Sequence, residues 1–304
     1  MLNRRAFIIS ASAAVAMSGR ADAAEDAVSI PFQLRQLRPP RIVINASIAG
    51  KGPYGFVLDT GGITSVIQSE FARTMKFRYA GASRLGMAGT TGLFDGVIVN
   101  ELVLGDALRI PHMSFASTSL INFGKDLVGS FGVEFMTQQP GLIDFDAGVW
   151  KMFKTQLPLL EGYDSQSGAI SNASHAPAAY IFATVMLNDV PVRLALDTGF
   201  PGTIMLTPEA LRRTGLNHAP ILTPLPEGKK YLPAVRATKA SLNGIDLGQP
   251  VVFKRNLSGD PYPDGIMGIK LIQMFNFAVD AKAGTLWLKR NNLPMPPETA
   301  YPAP

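Results

Sequence analysis

The sequence predicts a mainly β protein made from two copies of one folding unit, with a few short helices. The 29 glycines and 23 prolines are spread along the chain without a period, as many short strands joined by tight turns require. Runs of alternating apolar and polar residues recur between them, such as Gly96 to Leu104 and Val235 to Leu242; this period of two is that of half-buried strands. The tripeptide Asp-Thr-Gly then occurs twice, in "FVLDTGGITS" (Phe56 to Ser65) and "LALDTGFPGT" (Leu194 to Thr203). A single such tripeptide is an ordinary way to end a strand in a turn. Two of them, each behind an apolar run and ahead of a small hydroxyl residue, point to a duplication.

At the N-terminus, Arg4 and Arg5 precede the apolar run Ala6 to Gly19, and the small-residue pattern Ala21-Asp22-Ala23 follows. Those 14 residues would rise about 21 Å as a helix, short of the roughly 30 Å hydrocarbon core of a bilayer. Residues 1–23 therefore read as an export signal that is removed, leaving no stable membrane anchor and a periplasmic or secreted protein. Asn3 to Ile9, with Arg20 near the cleavage site, resembles a twin-arginine signal; an ordinary secretory signal with two adjacent arginines leads out of the cytoplasm as well. Ala24 to Ser29 is too short for a conventional inhibitory propeptide, so the mature chain is expected to act without further cutting.

Composition excludes several functions. Loss of Arg4, Arg5, Arg20 and Asp22 with the signal lowers the formal net charge from +5 to about +3. The remaining basic residues form only short pairs, Arg212-Arg213, Lys229-Lys230 and Lys289-Arg290, without interleaved aromatics, and give no nucleic-acid footprint. With no cysteine there is no disulfide framework, thiol nucleophile, Cys-ligated metal or lipoprotein anchor. His112, His175 and His218 lie far apart without ligand spacing, so no metal is expected. No Gly-x-Ser-x-Gly or phosphate-binding loop occurs, and no cofactor is implied.

The register of the repeat extends beyond the tripeptide. Asp59 and Asp197 lie 138 residues apart, and at that offset Ser65 matches Thr203 and Ser69 matches Thr207. Ser69 and Thr207 both read as N-caps of short helices. "SFGVEFM" (Ser130 to Met136) pairs with "IMGIKLI" (Ile266 to Ile272), aligning Gly132 with Gly268; Asp144 aligns with Asp280, and Gly148 with Gly284. "NELVLG" (Asn100 to Gly105) pairs with "NGIDLG" (Asn243 to Gly248). Each half thus runs strand, Asp-Thr-Gly, short helix, hairpin, strand ending in Leu-Gly, apolar-apolar-Gly, helix, hairpin. The expected organisation is a first lobe over 27–160, a polar linker over 161–177, a second lobe over 178–292 and an extended Pro-rich tail over 293–304.

On these residues, Asp59-Thr60-Gly61 with Ser65 and Asp197-Thr198-Gly199 with Thr203, each followed by apolar-apolar-Gly, most of the mature chain resembles the aspartic peptidases. The unit looks more like the retroviral type than the larger pepsin lobe. The resemblance implies two β-barrel lobes flanking a central cleft, a pseudo-dimer within one chain that works as a monomer, and peptide or protein as substrate. It implies a catalytic pair, Asp59 and Asp197, with Ser65 and Thr203 among the supporting residues. The hydroxyls of Thr60 and Thr198 would reach across to the partner loop's backbone, while Gly61 and Gly199 let each loop turn where a side chain would collide with the other. Between strand patterns of the first half, the glycine-rich stretch Gly86 to Gly96, with Gly86, Met87, Gly89, Gly92 and Phe94, stands where the family has a hairpin that closes over substrate; a plain surface turn accounts for the glycines too. Thr223 to Pro233, its counterpart, is proline-rich and stiffer, which suits a structural or specificity role.

The chain departs from the family pattern at Gly62 and Phe200, directly behind the two glycines, and its hairpin lacks the tyrosine of pepsin-like enzymes. Phe200 so near the pair would line a subsite or crowd the attacking water. Two functional classes follow: an exported aspartic endopeptidase, or a peptide-binding or regulatory protein that keeps the fold without turnover.

Overall fold

The computed structural model describes residues 27–35, 40–87, 90–121, 123–124, 126–172, 179–222, 233–254 and 264–294. The signal segment, most of the Pro-rich tail and residues 223–232 of the Thr223 to Pro233 stretch lie outside them.

The described chain is mainly β. An eight-stranded sheet forms the first lobe, in the order Gln33–Arg35, Arg41–Ile48, Lys51–Asp59, Leu127–Gly132, Val66–Gln68, Leu108–Thr118, Thr90–Leu104, Arg78–Met87. Arg41–Ile48 also pairs with Thr90–Leu104, which curls the sheet towards a barrel. The second lobe repeats the plan through Val190–Asp197, Ile204–Leu206 and Gly265–Gly268. In both lobes the strand that ends in the aspartate runs parallel to a strand that ends in an apolar residue and glycine, Phe131-Gly132 or Met267-Gly268, so that Asp59 stands opposite Gly132 and Asp197 opposite Gly268.

A third, six-stranded sheet joins the halves: Ala27–Pro31, Val149–Phe153, Gly141–Asp144, Phe275–Asp280, Thr285–Arg290, Asp164–Ser167. Its central junction is antiparallel, pairing Gly141 with Val279, Leu142 with Ala278 and Ile143 with Phe277. Gly148 and Gly284 close the two matching hairpins, at φ 65° and 68°, a left-handed conformation that glycine adopts without steric cost. The core is continuous from the first lobe into this sheet. Phe56, Phe131, Phe135 and Trp150 follow one another at centroid distances of 4.8, 5.5 and 5.5 Å, all fully buried, and rings so packed contribute beyond their buried area.

Residues 161–177 hold more than a connection. Asp164–Ser167 is the edge strand beside Thr285–Arg290, and Ile170–Asn172 pairs with Ala179–Leu187. Their polarity suits strands exposed at an edge. The helix caps divide. Thr207 caps Pro208–Arg213, its hydroxyl accepting from Ala210 N–H at 3.2 Å. Ser69 does not cap; it is the first residue of the helix Ser69–Thr74, behind Gln68, which makes no side-chain cap bond. Its hydroxyl instead accepts from Ser117 Oγ at 3.0 Å, because the parallel strand Leu108–Thr118 brings that donor alongside.

Candidate active site

The two Asp-Thr-Gly loops meet at the centre of the molecule and hold each other by a reciprocal set of bonds. Thr60 Oγ1 donates to Leu196 O at 2.7 Å and accepts from Thr198 N–H at 3.0 Å. Thr198 Oγ1 donates to Leu58 O at 2.6 Å and accepts from Thr60 N–H at 3.0 Å. Both threonines are buried, at 1% and 0% exposure, where an unmade bond costs the full desolvation of the group. The four bonds therefore lock the loops in register across the lobes.

Each glycine lies against the opposite carboxyl. A Cβ on Gly61 would stand 2.2 Å from Asp197 Cγ, and one on Gly199 would stand 2.4 Å from Asp59 Oδ1. No other residue fits in either place. Asp59 Oδ1 accepts from Gly61 and Gly62 N–H, each at 3.1 Å; Asp197 Oδ1 accepts from Phe200 N–H at 2.8 Å. Each carboxyl is thus set against the backbone of the other loop. Both residues retain some accessible surface, but their carboxyls are enclosed, and burial is the main cause that raises both well above the ordinary carboxyl range. For Asp197 the neighbouring charge of Asp59 adds to the rise; for Asp59, Arg41 and the loop N–H groups oppose it. Because a charge on Asp59 raises Asp197, the two do not ionise independently, and the pair is suited to share a proton.

Alternation along the strands gives the carboxyls apolar neighbours. Val57, on the face of Asp59, belongs to a buried cluster with Val43, Val66, Phe94 and Phe123. Ala195, on the face of Asp197, belongs to another with Tyr180, Phe182, Phe200 and Phe253. Phe200 is 8% exposed, its ring set edge-on to Phe253 at 5.9 Å and 88° and wedged against Gly202 and Gly268. Ile63 of the first loop packs on the same cluster.

Ser65 and Thr203 anchor their loops by different bonds. Ser65 Oγ accepts from Gly132 N–H at 3.0 Å, whereas the Thr203 hydroxyl donates to Val251 O. The glycine-rich stretch of the first half forms the end of an antiparallel hairpin between Arg78–Met87 and Thr90–Leu104, pairing Gly86 with Thr91, Met87 with Thr90 and Leu85 with Gly92. Gly89 lies outside the described residues. Phe94 is buried at 8% and roots this hairpin, while Leu93 beside it is 75% exposed.

Two residues that sequence reasoning missed support the site, Arg41 beside the pair and Glu134 behind its first loop. Arg41 Nη1 donates to Gly199 O at 2.6 Å. Glu134, 6% exposed, accepts from Ser65 N–H through Oε1 at 2.5 Å, and burial pushes it up to about 7; its Oε2 has no partner among the described residues. A lone carboxylate inside the apolar "SFGVEFM" was the available signal for Glu134. Arg41, in Arg-Pro-Pro-Arg, carried none. Among the described residues no group of three or more His, Cys, Asp or Glu is placed to hold a metal ion, and no helix is long and apolar enough to cross a membrane.

The fold is that of the two-lobed aspartic proteinases. An aspartic proteinase from Irpex lacteus is 15% identical, covering 88% of this chain and 98% of that one, with a TM-score of 0.54. Conglutin gamma, a basic 7S globulin from lupine seeds, is 9% identical over 88% of this chain and 95% of its own, also at 0.54. The basic 7S globulin from soybean is 9% identical over 87% and 95%, at 0.50. At such identities the likeness concerns the fold alone. No protein-family model matches the chain, and no curated protein matches it in sequence.

Proposed function

We propose that the protein is an exported aspartic endopeptidase, in which Asp59 and Asp197 together activate a water molecule against a peptide carbonyl. The fold does not select this reading, since proteins named as a proteinase and as seed globulins share it. The observation that supports it is the locked pair: two carboxyls, each set against the glycine of the other loop and each fed by loop N–H groups, with each loop tied to the other by a buried threonine. Pre-organisation of this kind suits groups that must act together in one geometry.

In the proposed reaction the ionised carboxyl takes a proton from water as the oxygen attacks the scissile carbon, and the protonated carboxyl donates to the carbonyl oxygen. The tetrahedral adduct then collapses, the C–N bond breaks, and the departing nitrogen takes up the proton removed from water. No covalent intermediate is required. Because both carboxyls are raised, the last shared proton leaves above the ordinary carboxyl range, and cleavage is expected to persist to higher pH than a free carboxyl pair would allow. Substrate would lie between the two apolar clusters under the Arg78–Leu104 hairpin, with an extended backbone suited to strand-like recognition. The twin-arginine-like segment supports action outside the cytoplasm, and the presence of both loops in one chain supports a monomer.

The test compares mature protein with Asp59→Asn and Asp197→Asn on a mixed peptide library, read by mass spectrometry from acid to neutral pH. Cleavage by wild type and by neither folded variant is expected. Folded wild type that binds peptides without cutting them at any pH would favour the peptide-binding alternative.

A further inference from the structure

Arg41 opens the strand Arg41–Ile48 of the first lobe, yet its guanidinium is bonded to the loop of the second, through Nη1 to Gly199 O. Gly199 is also the residue whose Cα lies against the Asp59 carboxyl. One hydrogen bond between lobes thus fixes a cation beside both aspartates, and its charge acts on each of them. Guanidinium does not titrate in this range, and a half-buried charge is only weakly screened by salt. Burial of Arg41 is itself unfavourable, and the charge on Asp59 and Asp197 is what opposes that cost, as the general cost of an unpaired buried charge requires.

The repeat has no second such residue. Val43 faces Val57 in the first lobe as Phe182 faces Ala195 in the second, so the position of Arg41 corresponds to Tyr180. The cation is a feature of one lobe acting on the shared site.

We propose that Arg41 is a positioning residue of the aspartate pair: tied to Gly199, it keeps one carboxyl ionised and so sets the pH bounds within which the pair holds a single proton. Among the described residues, the charged groups that act on the pair are Arg41 and the two aspartates themselves. Glu134 stands one layer behind, bonded to Ser65 N–H. The functional consequence rests on the endopeptidase reading; the titration does not.

The experiment records the pair's titration by NMR of protein labelled with ¹³C at the aspartate carboxyls only, which leaves Glu134 silent, with Asp59→Asn and Asp197→Asn assigning the signals. Peptide cleavage is followed over the same pH range. A cation lowers both macroscopic steps, so Arg41→Gln is expected to move both up by about one pH unit, and both limbs of the cleavage profile with them. Arg41→Lys, which retains the charge, should titrate close to wild type. A folded Arg41→Gln protein with unmoved midpoints, or one that loses cleavage equally at every pH, overturns the proposal in favour of a purely structural contact. Where Arg41→Gln does not fold, Arg41→Lys decides: wild-type midpoints support the proposal, and a shift of about a unit overturns it. Should wild type cleave nothing, the endopeptidase reading fails while the titration still tests Arg41.

Discussion

In the first lobe the Asp-Thr-Gly loop continues with Gly62 and rests on a buried acid, Glu134; in the second it continues with Phe200, and the position of Glu134 is taken by Lys270. Val133 N–H bonds to Gly62 O at 2.7 Å and Ile269 N–H to Phe200 O at 3.0 Å, so the backbone frame is the same. Its supports are not. The first loop is held by side-chain hydrogen bonds from Ser65 and Glu134, the second by the Thr203 hydroxyl's bond to Val251 O and an apolar cluster around Phe200. Burial lowers the Lys270 ammonium's proton affinity, as it raises that of the Glu134 carboxyl. Duplication has preserved geometry while leaving each lobe free to secure it by its own chemistry.

The comparison breaks first at the carboxyls. Asp59→Asn and Asp197→Asn should each lower cleavage by roughly 10³-fold or more, because one proton shared by two groups needs both. Markedly unequal losses would show that the aspartates have separable roles. Phe200→Ala should cost about 3–5 kcal/mol of stability, as a buried aromatic leaving a cavity does, measured by urea unfolding. That loss sharpens the contrast, since the first lobe has only Gly62 at this place.

Thr60→Val and Thr198→Val test what the lobes share. Each removes a donor and an acceptor from the reciprocal set, at about 1–3 kcal/mol for each buried group left unpaired. Equal destabilisation is expected; a clear preference for one would show that the loops are not held symmetrically.

The smallest effect belongs to Glu134→Gln. Folded Glu134 keeps its proton up to about 7, against an ordinary value of 4.5, so between those values the folded state binds more protons than the unfolded one. Its contribution to stability is therefore full below the lower value, declines as pH rises through this window, and is flat above it. Glutamine can still accept from Ser65 N–H but does not titrate. Melting temperatures of the variant should decline less steeply than those of wild type between 4.5 and about 7, the remaining decline coming from the raised aspartate pair.

Much of this arrangement could be read from the chain before any coordinates. Backbone devices are written in residue type and spacing: Gly61 and Gly199 where no side chain fits, Gly148 and Gly284 where φ is positive, two threonines one residue behind two aspartates. What the sequence did not reveal depends on contacts between distant segments. Arg41 reaches a carbonyl 158 residues away, and nothing in Arg-Pro-Pro-Arg announces it. Glu134 and Ser65 are 69 residues apart, joined only because Val66–Gln68 pairs with Leu127–Gly132. Ser69 misled for the same reason, its hydroxyl engaged by a neighbouring strand rather than by its own helix. Phe200 turned into a cluster assembled from several strands, which its place beside the aspartate could not foretell.

The six-stranded sheet has a consequence in time. Ala27–Pro31 waits for Val149–Phe153, and Gly141–Asp144 for Phe275–Asp280, which Thr285–Arg290 then flanks; pairings so remote along the chain form slowly. The second loop is in turn fastened by Gly268 and Ile269. During synthesis, then, a product that stops before Asp197 carries one aspartate without the other, and one that stops before Gly268 carries both but lacks the backbone donors that fasten the second loop. The framework around the pair is therefore finished later than the pair's own loops are made.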